Sequence, residues 1–590
     1  MARTCPVALF FAILSASSPL AYAQDVPPLP RDSAAGVPAK SDSGDSAAVA
    51  PPKADSANST KLGRVSSLTL VTDEDVDRLR FDQLITGVQR GQSLLLRSAS
   101  SLRESLSQRE RHWGAALISP QFLLITNSRL PFSQNDGALW AGRGSNSRTL
   151  FGFVLESRRA SLIFAPEVIA SDNAYWRLRG DDYYQPPLPD QATGRGYAFH
   201  YYYWTFPIDQ PLRFGDKPIR RFDLGQSSAV VSMGLVQFGV SNENHWWGPG
   251  IRNAIILSNN APGFRHAFLR TARPVETRAG AVEIRWLVGG LTESRYFDTL
   301  STNNVRSLAS IAITLQTRWD PNLTLGAARS VYATATGWGE IPWRWLNVFT
   351  RASRDTTDFR PPVQDSNFVG GGRDQLFSLF ARWVFPDDGF EAYAEWARAK
   401  FPANVHDFLV APNHSQGYTV GLQWRGPAWH SGSIRLQAEV TQLEQSATFR
   451  DGPVGSWYTS RRVIQGYTNR GEVIGASIGP GASTQWAAID YLKPAWRLGA
   501  FAGRIRWNED VHSTYGFPLY VAYCSHDVSL YPGIRGAMSS GFGWLSADLS
   551  LQNRLNVFFQ NGGGCPNNGV RLDIRNTTLS VTFSPFQHLK

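Results

Sequence analysis

The sequence predicts an all-β protein, a transmembrane antiparallel barrel of about 18 strands behind a small N-terminal periplasmic helical segment. Three observations predict it. Only 18% of the 590 residues are charged while 12% are aromatic, a balance outside that of ordinary soluble chains. Mean hydropathy is −0.25, and beyond the N-terminus no apolar run approaches the ~18 residues of a membrane helix. From about Leu150 onward the apolar residues recur with a period of two, the signature of strands with two unlike faces.

At the start, Arg3, the apolar stretch Val7 to Leu20 and Ala21-Tyr22-Ala23 match the three parts of an export signal, so residues 1–23 read as a cleaved signal peptide. Residues 24–65, rich in Pro, Ala and Ser with almost no large apolar side chain, cannot offset ordering entropy by burial and read as a disordered linker. Residues 66–136 read as a helical periplasmic or plug segment. Thr72-Asp73-Glu74-Asp75 is a helix N-terminus, with Thr72 capping and acids at the positive end of the dipole. Val76, Leu79, Leu84, Ile85 and Val88 follow at helical spacing, and Gly91 separates a second helical stretch, about Gln92 to His112. These amphipathic helices are expected to pack together as a small periplasmic bundle.

Residues 137–590 read as the barrel, with room for one strand before Leu150. Ser433 to Val440 alternates polar and apolar without error. Tyr418, Val420, Leu422 and Trp424 share one face, as do Ala309, Ile311, Ile313 and Leu315. Phe501 to Asn508, Leu545 to Gln552, and Leu579, Val581 and Phe583 repeat the pattern. Periodicity alone does not separate a soluble sandwich from a barrel. Aromatics at strand ends suit an interfacial girdle, and some 440 residues at about 25 per strand and connection exceed any single open sheet. Ser171 to Phe222 and Asn242 to Gly263 break the alternation and are expected to be extracellular loops or lumen inserts.

Three blocks resemble the Wzi-type capsule-assembly family of outer-membrane proteins. The first is His245-Trp246-Trp247-Gly248-Pro249-Gly250 with Ile255 to Pro262. The second is Asp374-Gln375-Leu376, Arg382-Trp383 and Phe390 to Trp396. The third is Trp457-Tyr458-Thr459, Gly466 to Gly471 and Gly479-Pro480-Gly481. The resemblance runs from about Leu150 to the C-terminus. It implies an 18-stranded barrel, plugged or flanked by periplasmic helices, that holds capsular polysaccharide at the cell surface in a lectin-like, non-enzymatic role. Partners would then be capsular or exopolysaccharide, outer-membrane lipid or lipopolysaccharide, and an export machinery around a monomeric barrel.

The residues themselves allow such chemistry. Formal charge is +10, and 7 Lys against 51 Arg make the cations almost all guanidinium. Guanidinium forks bind carboxylates and phosphates and stack on rings; a genome preferring arginine codons would give the same count. Trp246 and Trp247 offer flat faces to sugar C–H surfaces, with His245, Arg252, Asn259 and Asn260 nearby. The competing reading packs both tryptophans around a Gly-Pro-Gly turn. The same pair of readings applies to Trp457, Tyr458, Tyr467, Asn469 and Arg470. Glu391, Tyr393 and Glu395 form a polar row facing a lumen.

Enzyme readings are weaker. Gly475-Ala476-Ser477-Ile478-Gly479 fits G-x-S-x-G but lacks the strand-turn-helix context of a nucleophile elbow. Glu391 and Glu395 lie roughly 13 Å apart along one strand, beyond glycosidase spacing. No histidine pair has metal spacing, no cofactor is expected, and no motif points to nucleic acid. Cys524 and Cys565 form one possible disulfide. The alternative function is an outer-membrane diffusion channel, since 16–18 strands leave room for a pore.

Overall fold

The computed structural model describes residues 70, 72–106, 114–176, 208–297, 301–350, 372–402, 404–446, 455–460, 462–510, 526–557 and 573–585. The signal, the linker, Tyr183-Tyr184, Tyr201 to Trp204, and both Cys524 and Cys565 lie outside them.

Eighteen antiparallel strands close into a barrel. In chain order they are β1 (Gly114–Asn127), β2 (Gly144–Glu156), β3 (Ala160–Phe164 and Glu167–Ser171), β4 (Ile219–Asp223 and Ser228–Met233), β5 (Val236–Ser241) and β6 (His266–Thr271 and Val275–Glu276). Then come β7 (Gly280–Thr292), β8 (Val305–Thr317), β9 (Leu323–Ala335), β10 (Arg373–Phe385), β11 (Phe390–Arg398) and β12 (Gln416–Trp429). The last six are β13 (Gly432–Gln442), β14 (Ser483–Lys493), β15 (Trp496–Arg506), β16 (Val528–Ser540), β17 (Gly543–Leu555) and β18 (Ile574–Pro585). Every strand pairs with its neighbour in sequence, and β18 closes on β1 through Phe583 opposite Phe122. Three strands are interrupted once; two of the breaks contain Pro166 and Pro274, which cannot donate to a ladder.

The alternation read from the sequence decides the faces. On β13, Leu436 and Val440 are exposed outward while Arg435, Gln437, Glu439 and Thr441 are buried inside. The outer face carries Leu422, Leu545, Ile534 and Leu579, all exposed and apolar. An apolar exterior around a polar interior inverts the soluble pattern and is that of a barrel surrounded by lipid. One rim is made of short turns such as Lys493–Trp496 and Phe385–Phe390, edged by the ring cluster Trp429, Tyr491 and Trp496. The other rim carries all the long connections. Short turns mark the periplasmic end of such barrels and long loops the extracellular end.

Two boundaries differ from the sequence expectation. The barrel begins at Gly114, not residue 137, because Gly114 to Asn127 pairs with both β2 and β18. Its alternation is hidden by a bulge between Ile118 and Gln121, which shifts the period by one. The stretch from Gln92 is not one helix: Leu96–Arg97 is extended, and among the described residues of the stretch Ala99–Leu106 (α2) is helical.

The first helix is Asp73–Thr86 (α1). Thr72 caps it, accepting from the Asp75 amide at 3.1 Å while the Asp75 carboxylate accepts from the Thr72 amide at 2.8 Å. Beyond a small cluster of Val76 and Leu79 with Leu94 and Leu102, the expected helical bundle is not formed. α1 docks instead inside the periplasmic mouth, with Leu84, Phe81 and Val88 packed on Val384 of β10.

Candidate functional site

The site is the filled lumen, where material enters from both ends. From the periplasmic end, α1 reaches the wall through charges. Arg80 donates through Nε to Glu391 at 2.7 Å, and Arg382 donates to the other Glu391 oxygen at 2.8 Å and to Gln83 of α1 at 2.7 Å. Asp77 pairs with Arg435 and Arg497, each at 2.8 Å, and Asp490 bridges Arg435 and Arg535 at 2.8 and 2.6 Å. Burial alone would raise the Asp77 carboxyl; Arg435 and Arg497 outweigh it and hold it well below the usual carboxylate range.

After α1 the chain rises through the lumen, and Leu96–Arg97 forms a two-stranded ribbon with Trp246–Trp247. That ribbon joins the N-terminal segment to the insert 242–265, which enters from the extracellular side, between the end of β5 at Ser241 and the start of β6 opposite it at His266. The insert turns sharply. Gly248 has φ +130°, and a Cβ there would press on the Glu395 carboxyl. A Cβ on Gly250 would overlap the Asn253 carbonyl oxygen, so neither position admits a side chain.

Wall carboxylates hold the turn. Glu439 accepts from the amides of Ile251, Arg252 and Asn253 at 2.5, 3.1 and 2.8 Å, and from the Tyr393 hydroxyl at 2.9 Å. The Tyr393 ring reaches Glu439 by lying across Gly421 on the strand between them, where any Cβ would collide with it. Glu395 accepts from the Ile255 amide at 3.3 Å.

The segment 455–482 completes the plug. Tyr458 donates to the Ile255 carbonyl at 2.9 Å and accepts from the Ala476 amide at 2.9 Å, with its ring stacked on Tyr467 at 5.9 Å and 15°. Trp457 donates to the Gln416 carbonyl at 2.9 Å. Asn469 donates to the Pro262 carbonyl at 3.0 Å and accepts from the Thr292 amide at 3.0 Å. Arg470 pairs with Asp223, and it and Gly471 both have positive φ, 53° and 89°, as a tight hairpin between Thr468–Asn469 and Glu472–Val473 requires. The three sequence blocks thus meet in one cluster.

The accessibility of the candidates divides them. Trp247 and Tyr467 are 0% exposed, Tyr458 1%, Trp457 2% and Trp246 7%, so these rings pack the plug and offer no face to a glycan. Their burial favours the packing alternative over sugar stacking. Glu391, Tyr393, Glu395, His245 and Asn469 are equally sealed, their hydrogen-bonding capacity turned inward. His245 meets His266 with Nε2 to Nε2 at 2.8 Å, and burial next to that ring depresses its basicity. Arg252, Asn259, Asn260 and Arg470 are only half-buried. Arg252 lies over the Trp486 ring at 5.4 Å, its carbonyl accepting from Asn135 at 2.9 Å, and Asn260 donates to the Val473 carbonyl at 2.8 Å. Ser477 bonds Asn253 at 3.2 Å rather than a base. Among the described residues no group of three or more His, Cys, Asp or Glu has metal-binding geometry.

Burial lifts the Glu472 carboxyl to about 8 against the pull of Arg221. A carboxyl raised in the folded state binds more protons there than in the unfolded chain, so its contribution to plug stability declines as pH rises from about 4.5 to about 8. Glu472→Gln is expected to remove that decline, read as hydrogen exchange of residues 468–473 between pH 6 and 9. An unchanged pH slope would refute the assignment.

No protein-family model and no curated protein matches the chain. Among solved structures it is similar to Wzi, an outer-membrane protein involved in group 1 capsule assembly in Escherichia coli and a carbohydrate-binding β-barrel, at 12% identity and TM-score 0.48, covering 80% of this chain and 85% of that one. It is also similar to OccK7 of Pseudomonas aeruginosa (9% identity, TM-score 0.35, 80% and 100% covered). A BenF-like porin from Pseudomonas fluorescens Pf-5 gives 9%, 0.37, and 81% and 99% covered. With similarity this low, the fold assignment rests on strand register.

Proposed function

We propose that this chain is an outer-membrane barrel that binds and organises exported capsular or exopolysaccharide at the cell surface without catalysing a reaction. The observation that carries this reading is the plug: the insert 242–265, the segment 455–482 and α1 all lie inside the lumen and are each bonded to its wall. A lumen so occupied suits a platform better than a conduit. What the plug leaves half-buried is a polar set of Arg252, Asn259, Asn260 and Arg470, residue types suited to the hydroxyls and carboxylates of an acidic glycan. The Wzi protein is described as carbohydrate-binding, and the three blocks carrying the sequence resemblance to its family are those that assemble here.

The test is titration of the full-length, detergent-solubilised protein with acidic and neutral capsular polysaccharides, alongside planar-bilayer conductance. Binding of an acidic glycan without ion conduction is expected. Arg252→Ala is expected to weaken it about tenfold, the value of one charge-assisted hydrogen bond at roughly 1.5 kcal/mol, with little change in thermal stability. Steady conductance steps with no glycan binding would overturn the proposal in favour of the diffusion channel.

A further inference from the structure

The outer wall is not uniform. Between β2 and β7 it carries an apolar groove of about 870 Å³, within the ~300–1,000 Å³ range of sites that enclose organic ligands. Its origin lies in the register. Leu162, Ala229, Val240 and Ala267 form one outward row across β3 to β6, and the two alanines leave a depression between larger neighbours. Phe238, Leu269 and Trp286 wall it, and Trp345 overhangs it.

Trp345 belongs to the 3-10 helix Trp338–Phe349, which folds back from the β9–β10 connection onto the outside of the barrel. Ile341 and Val348 of this helix pack on Val288, Ala309 and Ala335 of the outer wall, while Trp343, Leu346 and Phe349 face outward. An arginine fixes it there: Arg329, on the lipid-facing side of β9, donates to the Val348 and Thr350 carbonyls at 2.7 and 2.9 Å and to Gln375 at 2.6 Å. Trp286 donates to the Trp345 carbonyl at 3.2 Å. The overhang is therefore held in place by polar bonds rather than merely resting on the wall.

Ser157 and Ala160 line the foot of the groove, at the short turn on the periplasmic rim. Glu156 is neutralised by Arg103 of α2, whereas Arg158 and Arg159 are exposed. An apolar trough beside a turn that carries two exposed arginines matches one kind of molecule, an alkyl chain bearing a phosphate.

We propose that this groove is a binding site for one phospholipid of the periplasmic leaflet, its acyl chain on Ala229 and Ala267 under Trp345 and its phosphate at Arg158 and Arg159. This inference is independent of the glycan-binding reading, since the groove lies on the opposite face of the wall from the plug. The experiment is native mass spectrometry of the full-length barrel extracted in mild detergent, followed by delipidation and re-addition of phosphatidylglycerol or phosphatidylethanolamine. One phospholipid retained per barrel is expected, with at least a tenfold lower retained fraction in Ala229→Trp/Ala267→Trp, which fills the trough. Arg158→Glu/Arg159→Glu is expected to lower retention of phosphatidylglycerol more than of phosphatidylethanolamine. Trp345→Ala, outside the strands, removes the overhang without burdening barrel closure and is expected to lower retention as well. Retention unchanged from the parent in both Trp345→Ala and the filled variant, or a barrel that dimerises through this face in place of holding lipid, would overturn the proposal.

Discussion

Glu439→Ala will release the central turn of the plug while leaving the barrel closed. The carboxylate sits 1% exposed on β13 and accepts from three consecutive amides of the insert and from the Tyr393 hydroxyl. Alanine leaves these donors buried without acceptors. Each such donor costs roughly 1–3 kcal/mol, so even partial relaxation makes the loss about 3 kcal/mol or more. The barrel ladders do not involve this side chain, and a boiled-versus-unboiled gel shift should persist. The expected result is accelerated hydrogen exchange at Ile251, Arg252 and Asn253 and the appearance of ion conduction. Glu439→Gln, which keeps one acceptor but presents an NH2 group to the amides, should fall between. Unchanged protection at residues 251–253 in Glu439→Ala would show that the turn is held by its glycines and Glu395 alone.

How much of this was legible in the sequence follows from the range over which each signal acts. The inward side of Ser433 to Val440 was readable because side-chain direction on a strand is fixed by parity, and the structure places Arg435, Gln437 and Glu439 inside as alternation requires. The cap at Thr72 was readable for the same reason, since its partner Asp75 lies three residues away. The partner of Glu439 is nearly two hundred residues distant, and nothing local marks it. Periodicity also failed at β1, where the bulge after Ile118 resets the parity. The tryptophans stayed ambiguous because a ring suited to stacking on sugar is equally suited to packing around Gly248 and Gly250, and composition does not tell the two apart. What the sequence did supply was a set of residues that meet: two of the three resembling blocks lie in the plug and the second on the wall that it touches, with contacts at Glu395, Ile255 and Tyr458.

Glu391→Ala will undock α1 from the periplasmic mouth. Glu391 is 0% exposed and sits between two guanidiniums, Arg80 of the helix and Arg382 of β10, with Gln423 at 3.4 Å completing its shell. Removing one partner of a buried ion pair costs roughly 3–5 kcal/mol, because the remaining charge keeps its desolvation penalty and loses its compensation; here two cations are stranded together. The helix then keeps Asp77 with Arg435 and Arg497, and Glu74 with Arg497 at 2.8 Å. Those bonds lie toward its N-terminal end, so its second half should loosen first. The expected result is trypsin cleavage after Arg80, absent in the parent protein, together with faster exchange across residues 79–86. If the lock works through charge, replacing all three members by apolar residues of similar size, Arg80→Met, Arg382→Met and Glu391→Leu, should restore protection, since a packed apolar trio incurs no desolvation cost. Failure of that triple variant to recover, with the barrel intact, would mean that Glu391 positions Arg382 for Gln83 and the Ser93 carbonyl rather than balancing charge, and the docking of α1 would then depend on hydrogen-bond geometry.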